Sequence, residues 1–149
     1  MKILLAIDDS KWSEAATHAL IWQMRPENVE VCVFHVVVPL VIIPYNYMGQ
    51  VETLEAAQQE RLKEGKELVE RTAQQLQAGG FKVDGAIEEG DPKSAIIDKA
   101  TQWNADVIFV GSHGRKGIDR FLLGSASEVV LRHAPCSVEI ARIPATEKA

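Results

Sequence analysis

The residues best suited to chemistry lie in one glycine-rich segment in the last third of the chain. Gly111, Gly114, Gly124 and Ser125 follow the spacing G-x2-G-x9-G-S, between an apolar run and a helical pattern. Glycine permits positive φ and has no Cβ, so Gly111 and Gly114 allow several backbone N–H groups to converge on an anion. Gly124 and Ser125 open a helix whose N-terminal N–H groups and dipole also favour negative charge. The spacing predicts two donor clusters that face one anion.

The arch between these glycines has a basic composition. It contains Arg115, Lys116 and Arg120, and the Ser125 hydroxyl adds a further donor. Its length and charge suit a polyphosphate better than a single sulfate. The segment is not a P-loop, because no GxxxxGK[ST] occurs in the chain, and it is not a GxGxxG dinucleotide fingerprint. The alternative is a loop whose glycines serve only tight turns.

Two further side chains are candidates for the same site. Asp8 follows the first apolar run, where its carboxylate can accept ribose hydroxyls or water around a phosphate-bound metal. It can equally cap the first helix, a role for which Ser10 competes. His113 lies inside the glycine segment and can approach a phosphate or carry a proton near neutral pH. For His113 the sequence favours the alternative of a solvent-facing loop residue.

Other reaction chemistry has no support in the sequence. His18, His35 and His133 lie on separate elements, and no two histidines have HExxH spacing, so no metal site is predicted. There is no GxSxG nucleophile elbow and no carboxylate pair spaced for glycoside hydrolysis. No catalytic residue is assigned.

Alternating strands and helices are expected to position these residues. Short apolar runs predict buried strands, because they are too brief for helices and lack the alternation of half-exposed strands. Helical spacing, with Ser10 and Asp91-Pro92 as start signals, predicts the helices between them. The expected fold is an open parallel α/β sheet with helices on both faces and ligands beyond the carboxyl ends of the first, second and fourth strands. The predicted strands are Ile3–Ile7, Val29–Val38, Phe81–Ile87, Ala105–Val110 and Cys136–Ile143, and the predicted helices run from Ser10 to Arg25-Pro26, over Val51–Ala78, from Pro92, and over Gly124–His133.

Some features fall outside this alternation or are not explained by it. Pro39–Gln50 is an apolar, proline-broken loop, which is compatible with a lid, a partner surface or a loop folded onto the core. Pro144–Ala149 is expected to be a frayed tail. Trp12, Trp22 and Trp103 fall on helical patterns and are expected in the core or at an interface.

The composition is that of one ordinary globular domain over residues 1–149. The chain has 149 residues, of which 46% are hydrophobic and 25% charged, and its formal net charge of -5 disfavours nucleic-acid binding through a basic face. Cys32 and Cys136 lie far apart in apolar runs and are expected to be buried free thiols in a reducing compartment. No signal-peptide core and no apolar stretch of membrane-spanning length occurs, so a cytoplasmic protein without membrane contact is predicted.

From Lys2 to Arg142 the chain resembles the universal stress protein family. Its glycine signature, from Gly111 to Ser125, is similar to that of the family's ATP-binding branch. The resemblance implies that Asp8 contacts the nucleotide and that the backbone of Val36 reads adenine. Where the family often has glycine after that aspartate, this chain has Asp9. The resemblance also implies the strand order 3-2-1-4-5.

The resemblance further implies a homodimer formed by antiparallel pairing of the fifth strands, Cys136–Ile143, which would cover an otherwise open sheet edge. In this strand Cys136, Val138 and Ile140 share one face, and Glu139 lies on the other. A two-fold axis at Ile140 or the next residue keeps Glu139 away from its symmetry mate. The alternative is that Glu139 is an edge-blocking charge that keeps the protein monomeric.

We therefore expect a dimeric regulatory module that binds ATP with Mg²⁺ and signals its presence to protein partners through loop order. The alternatives are a slow ATPase or phosphotransferase, and a structural or chaperone-like dimer whose loop binds no nucleotide. For hydrolysis, no base beyond Asp8, Asp9 or His113 and no arginine finger can be assigned. The residues predicted to bind ATP are Ala6, Asp8, Val36, Gly111, Ser112, His113, Gly114, Arg115, Gly124, Ser125 and Ala126.

Overall fold

The fold is a parallel sheet covered by helices on both faces. The computed structural model describes residues 1–40, 50–114 and 122–143 and, of residues 50–52, the backbone only. The five strands are β1 (Lys2–Ile7), β2 (Glu30–Val37), β3 (Lys82–Glu89), β4 (Val107–Gly111) and β5 (Ser137–Ala141). All neighbouring strands pair in parallel, in the order β3-β2-β1-β4-β5. The predicted α/β class and the strand order implied by the resemblance are confirmed.

The strand ends differ from the prediction at the two edges of the sheet. β5 is shorter than Cys136–Ile143 because it pairs only with β4, which has 5 residues, and the last paired residues are Gly111 and Ala141. β3 is longer than predicted, because it stays paired with β2 as far as Val37 and Glu89. The length of the neighbouring strand therefore sets both boundaries.

In the described part of the chain, four helices connect the strands: α1 (Lys11–Gln23), α2 (Gln50–Ala78), α3 (Pro92–Trp103) and α4 (Ser125–His133). The predicted start signals are confirmed. The Ser10 side chain accepts a hydrogen bond from the Ser13 amide at 3.2 Å, and the Asp91 side chain accepts one from the Lys93 amide at 3.3 Å. Such caps satisfy amide groups that have no partner within the helix.

Two hydrophobic clusters, one on each face of the sheet, form the core. On one face α1 and α2 bury side chains such as Leu20 and Leu76 against alternate residues of β1 and β2. On the other face α3 and α4 bury Ile96 and Val130 against the intervening residues. Because both faces are covered, the central strands are apolar at nearly every position, which is why they appear in the sequence as unbroken apolar runs.

The central strands end at different levels. Ile7, the last residue of β1, is in register with His35, whereas β2 and β3 continue together to Val37 and Glu89. The edge of β2 that faces β1 therefore has no strand partner beyond His35. In parallel α/β sheets, such offsets at the carboxyl ends create the crevices in which ligands bind.

The structure also tests smaller predictions about side-chain burial. Trp22 is 86% exposed, which excludes the core for it, so an interface stays the prediction for this side chain, while Trp12 and Trp103 are half-buried. Both cysteines are free as expected, but only Cys32 is buried, and Cys136 is half-buried because it precedes an edge strand. Residues 41–49 of the predicted apolar loop and the predicted tail 144–149 lie outside the described residues. Among the described helices, none has the length and apolar character needed to cross a bilayer.

Candidate functional site

A cleft of about 840 Å³ lies at the carboxyl ends of the strands. This volume is within the range of about 300–1,000 Å³ that is typical of small-molecule sites. Of the residues predicted to bind ATP, Ser112 lies beneath the surface of the cleft and Arg115 lies outside the described residues. The other predicted residues line the cleft: Ala6, Asp8, Val36, Gly111, His113, Gly114, Gly124, Ser125 and Ala126.

The start of α4 packs directly on the loop that follows β4. The Gly124 amide donates to the Ser112 carbonyl at 2.8 Å. A Cβ atom at Gly124 would lie 3.0 Å from the His113 Cα and 3.3 Å from the Gly114 nitrogen. Only a residue without a side chain permits this approach without a shift of the loop. The two glycine-marked segments are therefore adjacent, as the spacing predicted.

The reason for the first two glycines differs from the expectation. Neither Gly111 nor Gly114 has positive φ; among the described glycines, those that do are Gly80 and Gly90. Gly111 is required by close packing, because a Cβ atom there would lie 2.6 Å from the backbone carbonyl of Trp12 in α1. The chain therefore does not use the positive φ that glycine permits at these positions, and the close packing of β4 on α1 is what constrains Gly111.

Two hydrogen bonds hold Asp8, the residue that follows β1. Its backbone N–H donates to the Ser13 Oγ at 2.9 Å, and its Oδ1 accepts from the Ser10 N–H at 2.9 Å. Since Ser10 caps α1, the alternative role of Asp8 as the N-cap is excluded. The second carboxylate oxygen, Oδ2, lies 3.2 Å from the position that a Cβ atom at Gly114 would occupy. The aspartate and the glycine loop thus border the same part of the cleft.

His113 is buried, so the expectation of a solvent-facing residue was wrong. The side chain is 9% exposed, and its ring centroid lies 5.2 Å from that of Trp12. Its Nδ1 lies 3.0 Å from the Ser112 Oγ, within hydrogen-bonding distance. The tertiary contact responsible is the close approach of α1 to Gly111, which brings Trp12 over the loop. The spacing of residues in the sequence contains no signal that Trp12 buries His113.

The N-terminus of α4 faces the cleft with both backbone and side-chain donors. Ser125 is exposed, Ala126 is half-buried, and both line the cleft. The Ser127 hydroxyl donates to the Gly111 carbonyl at 2.7 Å, which ties the helix to the end of β4. Because first-turn amides have no intrahelical acceptor and the helix dipole is positive at this end, the first turn of α4 favours an anion.

Sequence reasoning missed the wall of the cleft that α2 provides. Arg61, Gly65 and Leu68 line it, together with His35 beneath them. A Cβ atom at Gly65 would lie 2.7 Å from the Ile87 Cδ1 and 2.9 Å from the His35 Cδ2. A glycine within a strongly helical pattern is a sequence signal for such close packing, although it does not reveal the partner.

α3 provides a further wall of the cleft that the sequence did not predict. Pro92, Lys93 and Ile96, from its first two turns, line the cleft. The charged residues of the cleft include both signs, with Arg61, Arg71 and Lys93 opposing Asp8, Asp9, Glu64, Glu67 and Asp91. Within the described part of the chain, no group of three His, Cys, Asp or Glu side chains could hold a metal ion alone. A cation in this cleft would need oxygen ligands from a bound molecule.

Comparisons with known proteins agree with this architecture. The sequence is 30% identical over 147 residues to a universal stress protein of Synechocystis sp., covering 93% of this chain and 96% of that protein. It is 33% identical over 150 residues to a universal stress protein of Methanocaldococcus jannaschii, covering 98% of this chain and 84% of that protein.

Solved structures resemble the fold as a whole. The hypothetical protein MJ0577, subject of a structure-based assignment of biochemical function, superposes with a TM-score of 0.84 at 26% identity, over 97% of this chain and 96% of that one. An Arabidopsis thaliana family protein with AMP bound gives a TM-score of 0.74 at 21% identity, over 100% and 95% of the two chains. A universal stress protein in complex with cAMP gives 0.67 at 19% identity, over 95% and 96%.

The sequence profile of the universal stress protein family matches residues 1–142, which include every described strand and helix and all the residues of the cleft. The chain therefore belongs to the universal stress protein family.

Proposed function

We propose that the cleft binds ATP with Mg²⁺ and that the protein is a regulatory nucleotide-binding module with little or no turnover. The observation that carries the proposal is the meeting of three elements at one point. Gly124 at the start of α4 packs on His113 and Gly114, and Gly114 in turn borders the Asp8 carboxylate. Family members of the same fold have been solved with AMP and with cAMP. Both are adenine nucleotides, which supports this ligand class.

Each part of the nucleotide has a matching part of the cleft. The first-turn amides of α4 and the Ser125 hydroxyl suit the phosphates, because they combine donors with the positive end of a helix dipole. Asp8 suits the ribose hydroxyls, since its Oδ2 borders the glycine loop. The edge of β2 beyond Ile7 suits the base, because the Val36 carbonyl faces the β1 side with no strand partner there and can accept a hydrogen bond from a flat heterocycle.

Mg²⁺ would be shared between the phosphates and the acidic residues after β1. Magnesium is usually held by one or two carboxylates together with phosphate oxygens and waters. Asp8 and Asp9 both line the cleft and provide such oxygens. Bound Mg²⁺ would neutralise phosphate charge beside these carboxylates.

Isothermal titration calorimetry with ATP and Mg²⁺ tests the proposal. The wild-type protein should bind one nucleotide per chain, and Asp8→Asn should bind at least about tenfold more weakly, because a charged acceptor is lost. Asp98→Asn makes the same charge change on an exposed position of α3 and should bind like wild type. No binding by the wild-type protein, or equal binding by all three proteins, would contradict the proposal.

Phosphate release in the same samples separates binding from turnover. The regulatory proposal expects ADP and phosphate to form no faster than in buffer. Release that depends on the protein and disappears in an Asp8 or His113 variant that still binds ATP would favour the slow ATPase instead. A folded protein with no affinity for nucleotide would favour the structural or chaperone-like alternative.

We also propose a homodimer that pairs β5 with its symmetry mate. Among the described strands, β5 pairs only with β4, so its other edge is open. The Ser112 N–H donates to the Ala141 carbonyl, so the backbone of Ala141 points towards β4 and that of Ile140 points outwards. Ile140→Pro should therefore remove an outward donor, keep the β4 pairing and yield a monomer in sedimentation velocity. A dimeric Ile140→Pro protein, or a monomeric wild type, would contradict this.

We further propose a cytoplasmic location. The free thiols of Cys32 and Cys136 support it, since unpaired cysteines persist in reducing compartments. Fractionation of cells that produce the tagged chain should recover it with cytoplasmic markers, and recovery in an exported fraction would contradict the proposal.

A further inference from the structure

His35 is a buried side chain whose role the nucleotide site does not yet explain. It is 7% exposed, lies on the α2 face of β2, and lines the cleft. Its Nδ1 lies 2.7 Å from the carbonyl oxygen of Ile7, the last residue of β1. A carbonyl can only accept a hydrogen bond, so Nδ1 carries the proton, and in the neutral imidazole Nε2 is an acceptor.

The acceptor nitrogen, Nε2, has no partner among the described residues. The His35 Nε2 makes no hydrogen bond to any residue of the described chain, and no fully buried side-chain nitrogen or oxygen in that part lacks a partner. The Nε2 atom therefore reaches the surface of the cleft. A base bound in the cleft would exclude water from this nitrogen, and an acceptor without a donor is then costly, so this atom is suited to a ligand N–H.

The ring is fixed next to the position where the base would bind. β1 stops at Ile7, so a base on the open edge of β2 at Val36 takes the place of the next residue of β1. The imidazole that reaches across to the Ile7 carbonyl borders that place. α2 prevents the ring from swinging away, because its Gly65 approaches the His35 Cδ2 closely.

We propose that the His35 Nε2 accepts a hydrogen bond from the exocyclic amine of the base and thereby selects 6-amino over 6-oxo purines. This inference rests on the proposed function and specifies its ligand. The adenine amine has two hydrogens, so one can bond the strand carbonyl while the other meets Nε2. A 6-oxo purine presents an oxygen lone pair to the same nitrogen, which leaves two acceptors facing each other.

Binding of ATP and ITP to wild type and His35→Asn tests the inference. The asparagine amide can still donate to the Ile7 carbonyl from the place of Nδ1, but it has no acceptor in the place of Nε2. Wild type should prefer ATP, and the ATP:ITP affinity ratio should fall about tenfold in His35→Asn, the size of one matched hydrogen bond in a dry site. If His35 only supports the strand ends, its replacement would weaken the binding of ATP and of ITP equally, and the ATP:ITP affinity ratio would not change.

A ligand-side comparison is able to overturn the inference even if the variant does not fold. Purine riboside triphosphate lacks the amine, and wild type should bind it at least about tenfold more weakly than ATP. Equal affinity for the two ligands would overturn the inference, as would an unchanged ATP:ITP ratio in folded His35→Asn. These outcomes leave the ATP proposal intact, whereas a wild type that binds neither ATP nor ITP overturns both.

Discussion

Gly114→Ala should separate nucleotide binding from folding. The new methyl group would lie 3.2 Å from the Asp8 Oδ2. This is a tight contact that shifts of a few tenths of an ångström relieve, and Gly114 does not have positive φ. Replacing glycine with alanine at a compatible position stabilises a protein by about 0.4–1 kcal/mol through the unfolded chain. We therefore expect the free energy of unfolding without ligand to change by less than about 1 kcal/mol.

Binding should change much more, because the methyl group covers the carboxylate oxygen assigned to the ribose. Loss of a hydrogen bond to a charged group costs about 1.5–3 kcal/mol, and about 2 kcal/mol corresponds to a thirtyfold increase in Kd. ATP at 100 times the wild-type Kd stabilises the folded state by about 2.7 kcal/mol, and the same ATP concentration would stabilise the variant by about 0.9 kcal/mol. For a chain of this length these values correspond to shifts in Tm of about 5–11 °C and about 2–4 °C.

Differential scanning fluorimetry with and without ATP and Mg²⁺ measures both quantities. Gly79→Ala is the matched control, because its Cβ would make a similar 3.3 Å contact, with the Leu76 carbonyl, at the end of α2 far from the cleft residues. That control should keep the full ATP shift. If Gly114→Ala keeps the full shift as well, the space beside Asp8 is not part of the nucleotide site and the reasoning fails.

Three further predictions concern the framework of the site. Gly111→Ala should destabilise the fold by about 1–3 kcal/mol in urea unfolding, because its Cβ would lie 2.6 Å from α1 backbone atoms that no rotamer change can move. Ser10→Ala removes the α1 cap and should cost about 1 kcal/mol, whereas Ser10→Asp should retain most of the stability. Burial raises the pKa of the Cys32 thiol, so the folded protein keeps this proton when the unfolded chain loses it. The resulting stability is complete below the ordinary thiol pKa of 9.0 and declines as pH rises above it; Cys32→Ala should flatten that decline in unfolding measured from pH 7 to 10.

Local features of the sequence determined most of the elements of this protein. The apolar runs of β1, β2 and β4 marked strands, because side chains covered on both faces leave no polar alternation. Ser10 and Asp91 marked helix starts, because a cap bonds to an amide two or three residues away. The glycine signature indicated an anion site for the same reason, because its residues lie within one short segment of the chain. Gly111, Gly114, Gly124 and Ser125 do line one cleft.

Contacts between residues distant in the chain were decided only by the tertiary structure. The approach of α1 to Gly111 buried His113, and the packing of α2 at Gly65 placed His35 beside the end of β1. These contacts join segments separated by 28 residues or more, as His35 and Ile7 are. Which residues meet in such contacts depends on the order of the strands in the sheet and on where each strand ends. Neither the periodicity of the sequence nor a capping motif encodes this information. The sequence by itself therefore determined the elements and the signature, whereas the fold decided which side chains are buried around the cleft and which of their atoms remain available to a ligand.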